Sequence, residues 1–239
     1  MSLSLENRTV LVVGRPSGIA SATVQALAAA GAEVILAGRT LDPVNTGTPE
    51  TGSVRRAQVD LTDESSIAAL AASLGKVDHV VSTASARARG ALTDLKPETI
   101  ALSFATKVTG PILLAKHFAP LMPADGSFVF FSGQSAQKPM PGMLAVGATN
   151  GAVDVVVRSL AVEVAPIRVN AISPGTIDTG AYDGLGAEKK AAFFADRIGS
   201  SPAARIGTAE DIAAAVLFAL TNSFVTGHTL PVDGGEALV

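Results

Sequence analysis

The fold is decided by the stretch Thr9-Val-Leu-Val-Val-Gly14-Arg-Pro-Ser-Gly18-Ile-Ala20. Its unbroken apolar run, Val10 to Val13, is typical of a central parallel strand that is buried on both faces. A helix is predicted from Ser17 to Ala30, and Gly31 marks its end. A glycine turn that leads into a helix leaves backbone N–H groups unpaired at the positive end of the helix dipole, which predicts a phosphate-binding site. A tight turn without any ligand is the alternative interpretation of two glycines.

The composition indicates one α/β domain with an aliphatic core, because 48% of the 239 residues are hydrophobic and only 4% are aromatic. The net charge of −3 argues against nucleic-acid binding by overall electrostatic attraction, because such binding needs a basic surface. The chain has no cysteine, which excludes disulfides, a thiolate nucleophile and a cysteine metal site, and no other metal site is predicted. Residues 1–8 lack the basic segment and the apolar segment of a secretion signal. No apolar stretch reaches the roughly 20 residues that a membrane span needs. We therefore expect a cytoplasmic protein without nucleic-acid or membrane partners.

Apolar runs alternate with helical patterns along the rest of the chain. Further strands are predicted at Val34–Ala37, Val54–Val59, Val77–Ser82, Ser127–Ser132, Ile167–Ile172 and Thr229–Val232. Helices are predicted at Glu64–Leu74, Pro97–Met122, Gly142–Val164, Gly184–Ser201 and Thr208–Leu220, with an irregular connection from Thr40 to Ser53. Such alternation gives right-handed crossovers and a parallel sheet. The prediction is a single doubly wound α/β domain over residues 1–239, with about seven parallel strands and helices on both faces.

Four motifs follow one another in the order and spacing of a known family. They are Gly14-x-x-x-Gly18-Ile19, Asp60-Leu61, Arg168-Val-Asn170-Ala-Ile-Ser-Pro174-Gly175 and Gly227-x-x-Leu-x-Val-Asp233-Gly-Gly. On these residues the chain resembles the short-chain dehydrogenase/reductase family over essentially its whole length. The resemblance implies a Rossmann-type domain that transfers hydride between a nicotinamide and a carbonyl or alcohol carbon. It also implies a lid-like segment near residues 176–206 that covers the substrate.

The same resemblance places a nicotinamide dinucleotide across the carboxyl ends of the strands. The cofactor-binding residues that it implies are Gly14, Arg15, Ser17, Gly18, Ile19, Arg39, Asp60, Leu61, Thr83, Ala84, Pro174, Gly175 and Ile177. The second strand ends in Gly38-Arg39, without the carboxylate that would bind the ribose 2′-OH of NAD. Guanidinium groups at Arg15 and Arg39 suit a 2′-phosphate, so NADP(H) is favoured over NAD(H). The alternative is that Arg39 is a solvated loop residue.

The family's usual catalytic residues are not found at their expected positions. The family uses a tyrosine as proton donor, with a lysine four residues later, a serine and an asparagine. In this chain those positions hold Val146, Asn150, Gly133 and Lys107 respectively. Because valine cannot donate a proton, the usual mechanism is excluded and the catalytic residue is unknown.

Candidate substitutes come from the same region of the chain. The predicted substrate pocket contains Ser132, Gly133, Val146 and Tyr182, with Met140 and Met143 beside them. Tyr182, the only tyrosine, is interpreted either as a substitute acid or as a residue of the loop surface, and Ser132 as a hydrogen-bond donor. Lys107 and Asn150 resemble an exchange of lysine and asparagine between two helices, which would keep an ammonium near the nicotinamide ribose. An exposed Lys107 is the alternative.

Two classes of function remain open. The first is an NADP(H)-binding oxidoreductase with an atypical or degenerate centre, whose proton comes from water or from an unusual side chain. The second is a non-catalytic sensor or scaffold that binds a nucleotide or metabolite. Pro16 and Ala20 depart from the glycine motif and leave a third interpretation, a loop that no longer binds nucleotide. The substrate is an unidentified small molecule, and the resemblance implies a homodimer or homotetramer.

The three histidines, His79, His117 and His228, fall on separate predicted elements. His79 lies at the start of the predicted fourth strand, and the other two lie in a helix and before the last strand. We therefore expect structural or surface roles for all three.

Overall fold

The computed structural model describes residues 4–40 and 53–239 and shows one seven-stranded parallel sheet. Its strands are β1 (Thr9–Val13), β2 (Glu33–Gly38), β3 (Ser53–Gln58), β4 (His79–Ser82), β5 (Ser127–Phe131), β6 (Arg168–Pro174) and β9 (Thr229–Val232). Their order in the sheet is β3-β2-β1-β4-β5-β6-β9. The predicted doubly wound α/β domain with seven parallel strands is confirmed.

Strand β1 lies at the centre of this order. Val10 pairs with Val34 of β2 on one edge and with His79 of β4 on the other. Leu11 and Val12 are completely buried, as expected for a strand that has helices against both faces. From β1 the chain adds β2 and β3 on one side of the sheet, and from β4 onward it adds strands on the other side of β1. Loops diverge at such a reversal of strand order and open a crevice at the carboxyl ends of the strands.

Helices cover both faces of the sheet. They are α1 (Gly18–Ala29), α2 (Glu64–Leu74), α3 (Pro97–Phe104), α4 (Gly110–Phe118), α5 (Leu144–Glu163), α6 (Ala187–Ser200) and α7 (Ala209–Thr221). Val24 and Leu27 of α1 and Ile212 of α7 belong to the core on one face. Leu114 of α4 and Val157 of α5 belong to the core on the other. Each face of the sheet therefore has its own apolar layer, which is mainly aliphatic but includes Phe118, Phe128 and Phe130 on the face of α4 and α5.

The helix predicted over Pro97–Met122 is interrupted. A π turn over Ala105–Thr109 separates α3 from α4, and a 3-10 turn follows at Ala119–Leu121. Pro111 explains the interruption, because it has no N–H to donate to the carbonyl four residues earlier, and its ring clashes with that carbonyl. The carbonyl in question is that of Lys107, which lies within the π turn.

Helix α5 corrects one expectation from the sequence. Among the described residues it is the one helix whose 20 residues and hydropathy of 1.2 would permit a membrane crossing, whereas no apolar stretch of that length was expected. In the fold it packs against β6 and the π turn and buries Val153 and Val157. That is the arrangement of a core helix in a globular domain.

The remaining differences concern short elements and boundaries. The chain adds a two-stranded parallel sheet, β7 (Ile177–Asp178) and β8 (Gly207–Thr208), which no sequence pattern indicated. These two strands bracket the segment that was predicted to cover the substrate. Thr208 proves to be the N-cap of α7 and forms a capping box with Asp211. Of the predicted irregular connection, residues 41–52 lie outside the described residues.

His79 is the first residue of β4, two residues after the predicted start of that strand. Its side chain is buried, and Nδ1 lies 2.9 Å from Ser127 Oγ on β5. Burial lowers the pKa of His79 to about 4, because the charged imidazolium is poorly solvated in the core. The structural role expected for this histidine agrees with its position.

Because the pKa of His79 falls from 6.5 to about 4 on folding, only the unfolded chain binds this proton between those pH values. The free energy of unfolding should therefore decrease as the pH falls through this window, by roughly 3 kcal/mol from His79 alone. Chemical denaturation at pH 6.5 and pH 4 measures this decrease in the parent and in His79→Gln, which should lose most of it. His228→Gln, at an exposed position, is the control. An equal decrease in the parent and in His79→Gln would contradict the assignment.

Candidate active site

A cleft of about 710 Å³ opens at the carboxyl ends of the strands. The loop from β1 to α1 forms one wall, and the residues that follow β4, β5 and β6 form the rest of its floor and sides. Helices α5 and α6 and the π turn also contribute side chains to it. This is the crevice expected at the reversal of strand order between β1 and β4.

The wall formed by the glycine loop suits an anion. Gly18 begins α1 with a φ of +52°, and a Cβ there would come within 2.9 Å of Thr179 Cβ. Ser17 is the N-cap but makes no side-chain capping bond, and the first turn holds no acidic residue. The backbone N–H groups of the first turn of α1 therefore remain available at the positive end of the helix dipole. Bare backbone with free donors is what a dinucleotide pyrophosphate requires, so the residues present fit that group.

Gly14 acts in a different place from Gly18. It lies beneath Thr83, whose Oγ1 occupies the position that a Cβ at residue 14 would need. On its other side, a Cβ at Gly38 would lie 3.0 Å from the Gly14 carbonyl oxygen, so the two glycines are closely packed. Ala20, which replaces the third glycine of the motif, is 3% exposed and packs beside Gly14. The methyl group of Ala20 is thus accommodated in the packing of the turn.

The structure brings most of the predicted cofactor residues to the cleft but leaves some outside its lining. The lining includes Arg15, Ser17, Gly18, Ile19, Thr83, Ala84, Pro174, Gly175 and Ile177. Gly14, Arg39, Asp60 and Leu61 do not line it. Leu61 is buried against Gly110, and Asp60 accepts hydrogen bonds from the hydroxyl and N–H of Thr62.

Arg39 is exposed and follows β2 at the carboxyl edge of the sheet. Asp60 has a pKa below its ordinary value, chiefly because of the Thr62 hydrogen bonds and, to a smaller extent, because Arg39 attracts the carboxylate. Arg39 and Asp60 therefore lie near each other beyond the rim of the cleft.

Lys107 is buried, with 8% of its surface exposed, and the alternative of a lysine on the helix surface is wrong. Its Nζ donates to the Ser132 carbonyl at 2.9 Å and to Asn150 Oδ1. The π turn, the end of β5 and α5 thus meet at one amine that lines the cleft. The two residues proposed as an exchange between helices are in direct contact.

The pKa of Lys107 is lowered to about 7, mainly by burial and next by the nearby charge of Arg87. Asp154 acts in the opposite direction. A neutral amine has two N–H donors, which match the two acceptors, and protonation adds a third donor. Lys107 can therefore hold or release a proton near neutral pH without losing its protein contacts.

Asn150 fills the space beside Gly133. A Cβ at Gly133 would lie 2.7 Å from Asn150 Nδ2, which donates to Ser135 Oγ at 2.8 Å and to the Gly133 carbonyl at 3.2 Å. The hydroxyl of Ser132 donates to the Asn150 carbonyl at 3.1 Å. The Ser132 hydroxyl, expected to face substrate as a donor, is thus engaged by α5. Val146, also on α5, supplies an apolar patch of the cleft.

Tyr182 lines the cleft from the segment between β7 and β8. Its ring lies 5.0 Å from the ring of Phe193 and 5.6 Å from that of Phe194, measured between centroids. Both phenylalanines belong to α6, so the tyrosine is part of an aromatic cluster that holds this segment against the cleft.

Several lining residues were missed from the sequence. Arg87 and Arg89 follow β4, and Gln134 follows β5. Their positions after the carboxyl ends of predicted strands were a usable signal, because such loops converge on one edge of the sheet. Arg197 comes from α6 and had no such signal. Within the described part of the chain, no three His, Asp or Glu side chains come together as a metal site.

Comparisons with known proteins match this chain to proteins that are named as reductases or dehydrogenases. A family model described as enoyl-(acyl carrier protein) reductase matches residues 13–236. L-xylulose reductase of Mesocricetus auratus is 32% identical in an alignment of 243 positions, gaps included, which covers 98% of this chain and 98% of that protein. The crystal structure of a small-chain dehydrogenase in complex with NADPH has 32% identity and a TM-score of 0.82, over 98% of this chain and 100% of that one. MalC reductase/Diels-Alderase from Malbranchea aurantiaca has 28% identity and a TM-score of 0.91, over 100% and 99% of the two chains.

The lowered pKa of Lys107 predicts a pH-dependent stability. Between about pH 7 and 10.5 an unfolded lysine binds a proton that the folded Lys107 does not, so the folded state gains stability as the pH rises. The difference in unfolding free energy between the parent and Lys107→Met should change by about 1.4 kcal/mol per pH unit, in favour of the parent. Denaturation curves from pH 7 to 10 measure it. A difference that stays constant with pH would contradict the lowered pKa.

Proposed function

The chain belongs to the short-chain dehydrogenase/reductase family, and on that basis we propose that it is an NADP(H)-dependent oxidoreductase that interconverts a carbonyl and an alcohol through an atypical catalytic centre. The nicotinamide, when bound, supplies or accepts the hydride. The protein's own residues hold that cofactor, orient the substrate and move the proton. The proposal for the proton is the part specific to this chain.

One observation carries the proposal, which is the buried amine of Lys107 in the cleft. The reaction needs a group that donates a proton to the developing alkoxide, and such a group works best when its pKa lies near the working pH. Lys107 has a pKa of about 7, whereas Val146 and Asn150, at the positions of the family's tyrosine and lysine, cannot act as acids. Lys107 is therefore the proposed catalytic acid.

In the direction of reduction, the third N–H of the Lys107 ammonium donates to the substrate carbonyl oxygen. As the carbonyl carbon gains the hydride, this proton passes from Nζ to the oxygen and completes the alcohol, and the neutral amine then takes up one proton from solution. Throughout this step the Ser132 carbonyl and Asn150 Oδ1 hold the nitrogen in place. Oxidation of the alcohol follows the reverse path, with the neutral amine as the base.

The proposed cofactor residues are those named from the sequence, with the N-terminus of α1 at the pyrophosphate. We assign NADP(H) over NAD(H) because Arg15 and Arg39 lie in the loops after β1 and β2, where the family's selectivity residues lie, and guanidinium groups bind phosphate bidentately. The carboxylate of Asp60 lies near Arg39, and it accepts hydrogen bonds from the N–H and hydroxyl of Thr62. Lys107 and Asn150 are also proposed to lie beside the ribose, where the Lys107 amine would contact it while the substrate oxygen is absent.

The other interpretations from the sequence receive less support. The relatives named above carry reductase or dehydrogenase names, which does not favour a non-catalytic sensor or scaffold. The unpaired N–H groups at Gly18 do not favour a loop that has lost nucleotide binding. Tyr182 remains a second candidate acid, but its ring is held in the aromatic cluster of the 176–206 segment.

Assembly into a homodimer or homotetramer is also part of the proposal. On the outer side of α5 Val155 and Val162 are 54% and 80% exposed, and such apolar surface often marks a contact with another chain. Cytoplasmic localisation and the absence of nucleic-acid and membrane partners stay predictions from the sequence.

Calorimetry should show tight binding of NADPH and weaker binding of NADH. The double variant Arg15→Ala/Arg39→Ala should lose about 10- to 100-fold in affinity for NADPH and little for NADH, because only NADPH carries the 2′-phosphate. Arg158→Ala, an exposed position on α5, is the control and should bind as the parent does. Equal affinity of the parent for both nucleotides would contradict the assignment of NADP(H). If neither nucleotide bound, the oxidoreductase proposal itself would be wrong.

Lys107→Met should lower kcat for carbonyl reduction by about 10²- to 10⁴-fold, because it removes the proton donor. In the parent, kcat should fall as the pH rises through about 7, where Lys107 loses its proton, and the variant should lack this dependence. Steady-state kinetics on a panel of carbonyl compounds measure both. Lys116→Met, an exposed lysine on α4, is the matched control.

Two results would change this assignment. Full activity in Lys107→Met together with loss of activity in Tyr182→Phe would transfer the acid role to the tyrosine. An unchanged NADPH affinity in Lys107→Ala would remove the proposed ribose contact, while leaving the proton transfer to be judged from kcat.

A further inference from the structure

All charged side chains that line the cleft are cationic. Among residues 4–40 and 53–239 they are Arg15, Arg87, Arg89, Lys107 and Arg197, and no aspartate or glutamate lines it. The whole chain has a net charge of −3, so this excess does not follow from composition. A concave site lined by charges of one sign concentrates ligands of the opposite sign. Arg15 lies in the glycine loop, and the other four cationic residues line the cleft outside that loop.

Arg87 and Arg89 line the cleft from the loop after β4, and both keep part of their surface exposed to solvent. Desolvation lowers the pKa of Arg87, and the like charge of Arg89 lowers it further, so the two guanidinium groups lie close together. Arg87 also interacts electrostatically with Tyr182 and with Lys107. Within the described part of the chain, neither arginine forms an ion pair with a carboxylate.

Arg197 lines the cleft from α6. Its guanidinium lies 5.2 Å from the centre of the Phe193 ring, and its buried Nε has no hydrogen-bond partner in the described residues. Gln134, which is 8% exposed, likewise has a buried Nε2 without a partner in that part of the chain. A buried donor that lacks an acceptor costs free energy, which a ligand that supplies the acceptor would recover.

We propose that the substrate end of this cleft binds a carbonyl compound that carries a carboxylate, held by Arg87 and Arg89 from the loop after β4 and by Arg197 from α6. The arginine fork matches a carboxylate in two parallel hydrogen bonds, and no carboxylate among the described lining residues competes for it. The proposal rests on the proposed function, because the carbonyl of the same molecule must reach Lys107. An oxo acid and the corresponding hydroxy acid are thus the substrate and product.

Pairs of ligands that differ only in charge test this directly. The NADP⁺-loaded protein, in which reduction cannot proceed, is titrated by calorimetry with 2-oxobutyrate, acetoacetate and levulinate, and with the methyl ester of each. At least one acid should bind about 10- to 100-fold more tightly than its ester. Arg87→Gln/Arg89→Gln should reduce that preference to less than about threefold, whereas Arg158→Gln should retain it.

The other outcomes overturn the proposal in distinguishable ways. If acids and esters bind equally, or if neither binds, there is no carboxylate site. If Arg87→Gln/Arg89→Gln weakens NADPH binding as much as acid binding, the arginines hold the cofactor. If only dihydroxyacetone phosphate is preferred over dihydroxyacetone, the group recognised is a phosphate. Reduction of neutral carbonyl compounds with no preference for acids would leave the oxidoreductase proposal intact and end this one.

Discussion

The structure depends on the burial of β1 on both faces and both edges. Val10 to Val13 have almost no exposed surface, and such a strand is stable only when helices cover both sides of it. With β2 on one edge and β4 on the other, the chain must reverse its direction through the sheet at β1. That reversal opens the crevice, and the glycine turn that leaves β1 forms a wall of it. The fold and the location of the site therefore have a common origin.

The chemistry of the site depends on a second constraint, the burial of an amine. Lys107 is kept among its partners by the Ser132 carbonyl and Asn150 Oδ1, while burial makes its charged form costly. These effects act in opposite directions and leave the proton weakly held. The hydrogen bonds fix the position of the nitrogen, and the desolvation makes its proton transferable. A surface lysine would have neither property.

The seven parallel strands and the glycine turn after β1 could be predicted, because an apolar run such as Val10–Val13 that ends in a glycine turn is typical of a buried parallel strand followed by a helix. The burial of Lys107 could not be decided, since it depends on contacts with α5 that are distant in sequence. The position of Arg87 and Arg89 after β4 was a usable signal, but which side chains of that loop enter the cleft depends on the path of the loop. Strands β7 and β8, with two residues each, are too short to carry a pattern. What was missed is therefore set by tertiary packing.

The π turn at Ala105–Thr109 also sets the rotational phase between the two halves of one helix. Each residue advances an α-helix by about 100°, and a π turn accommodates one residue more than an α turn. Ser103 is buried before the turn and Leu114 and Phe118 after it, with Lys107 between them. In a regular helix Lys107, Leu114 and Phe118 would lie within about 40° of one another, and the extra residue of the π turn changes that phase. The side chains before and after the turn are therefore directed differently from those of a regular helix of the same sequence. The number of residues in this helix is thus a chemical variable, because it determines which side chain the cleft receives.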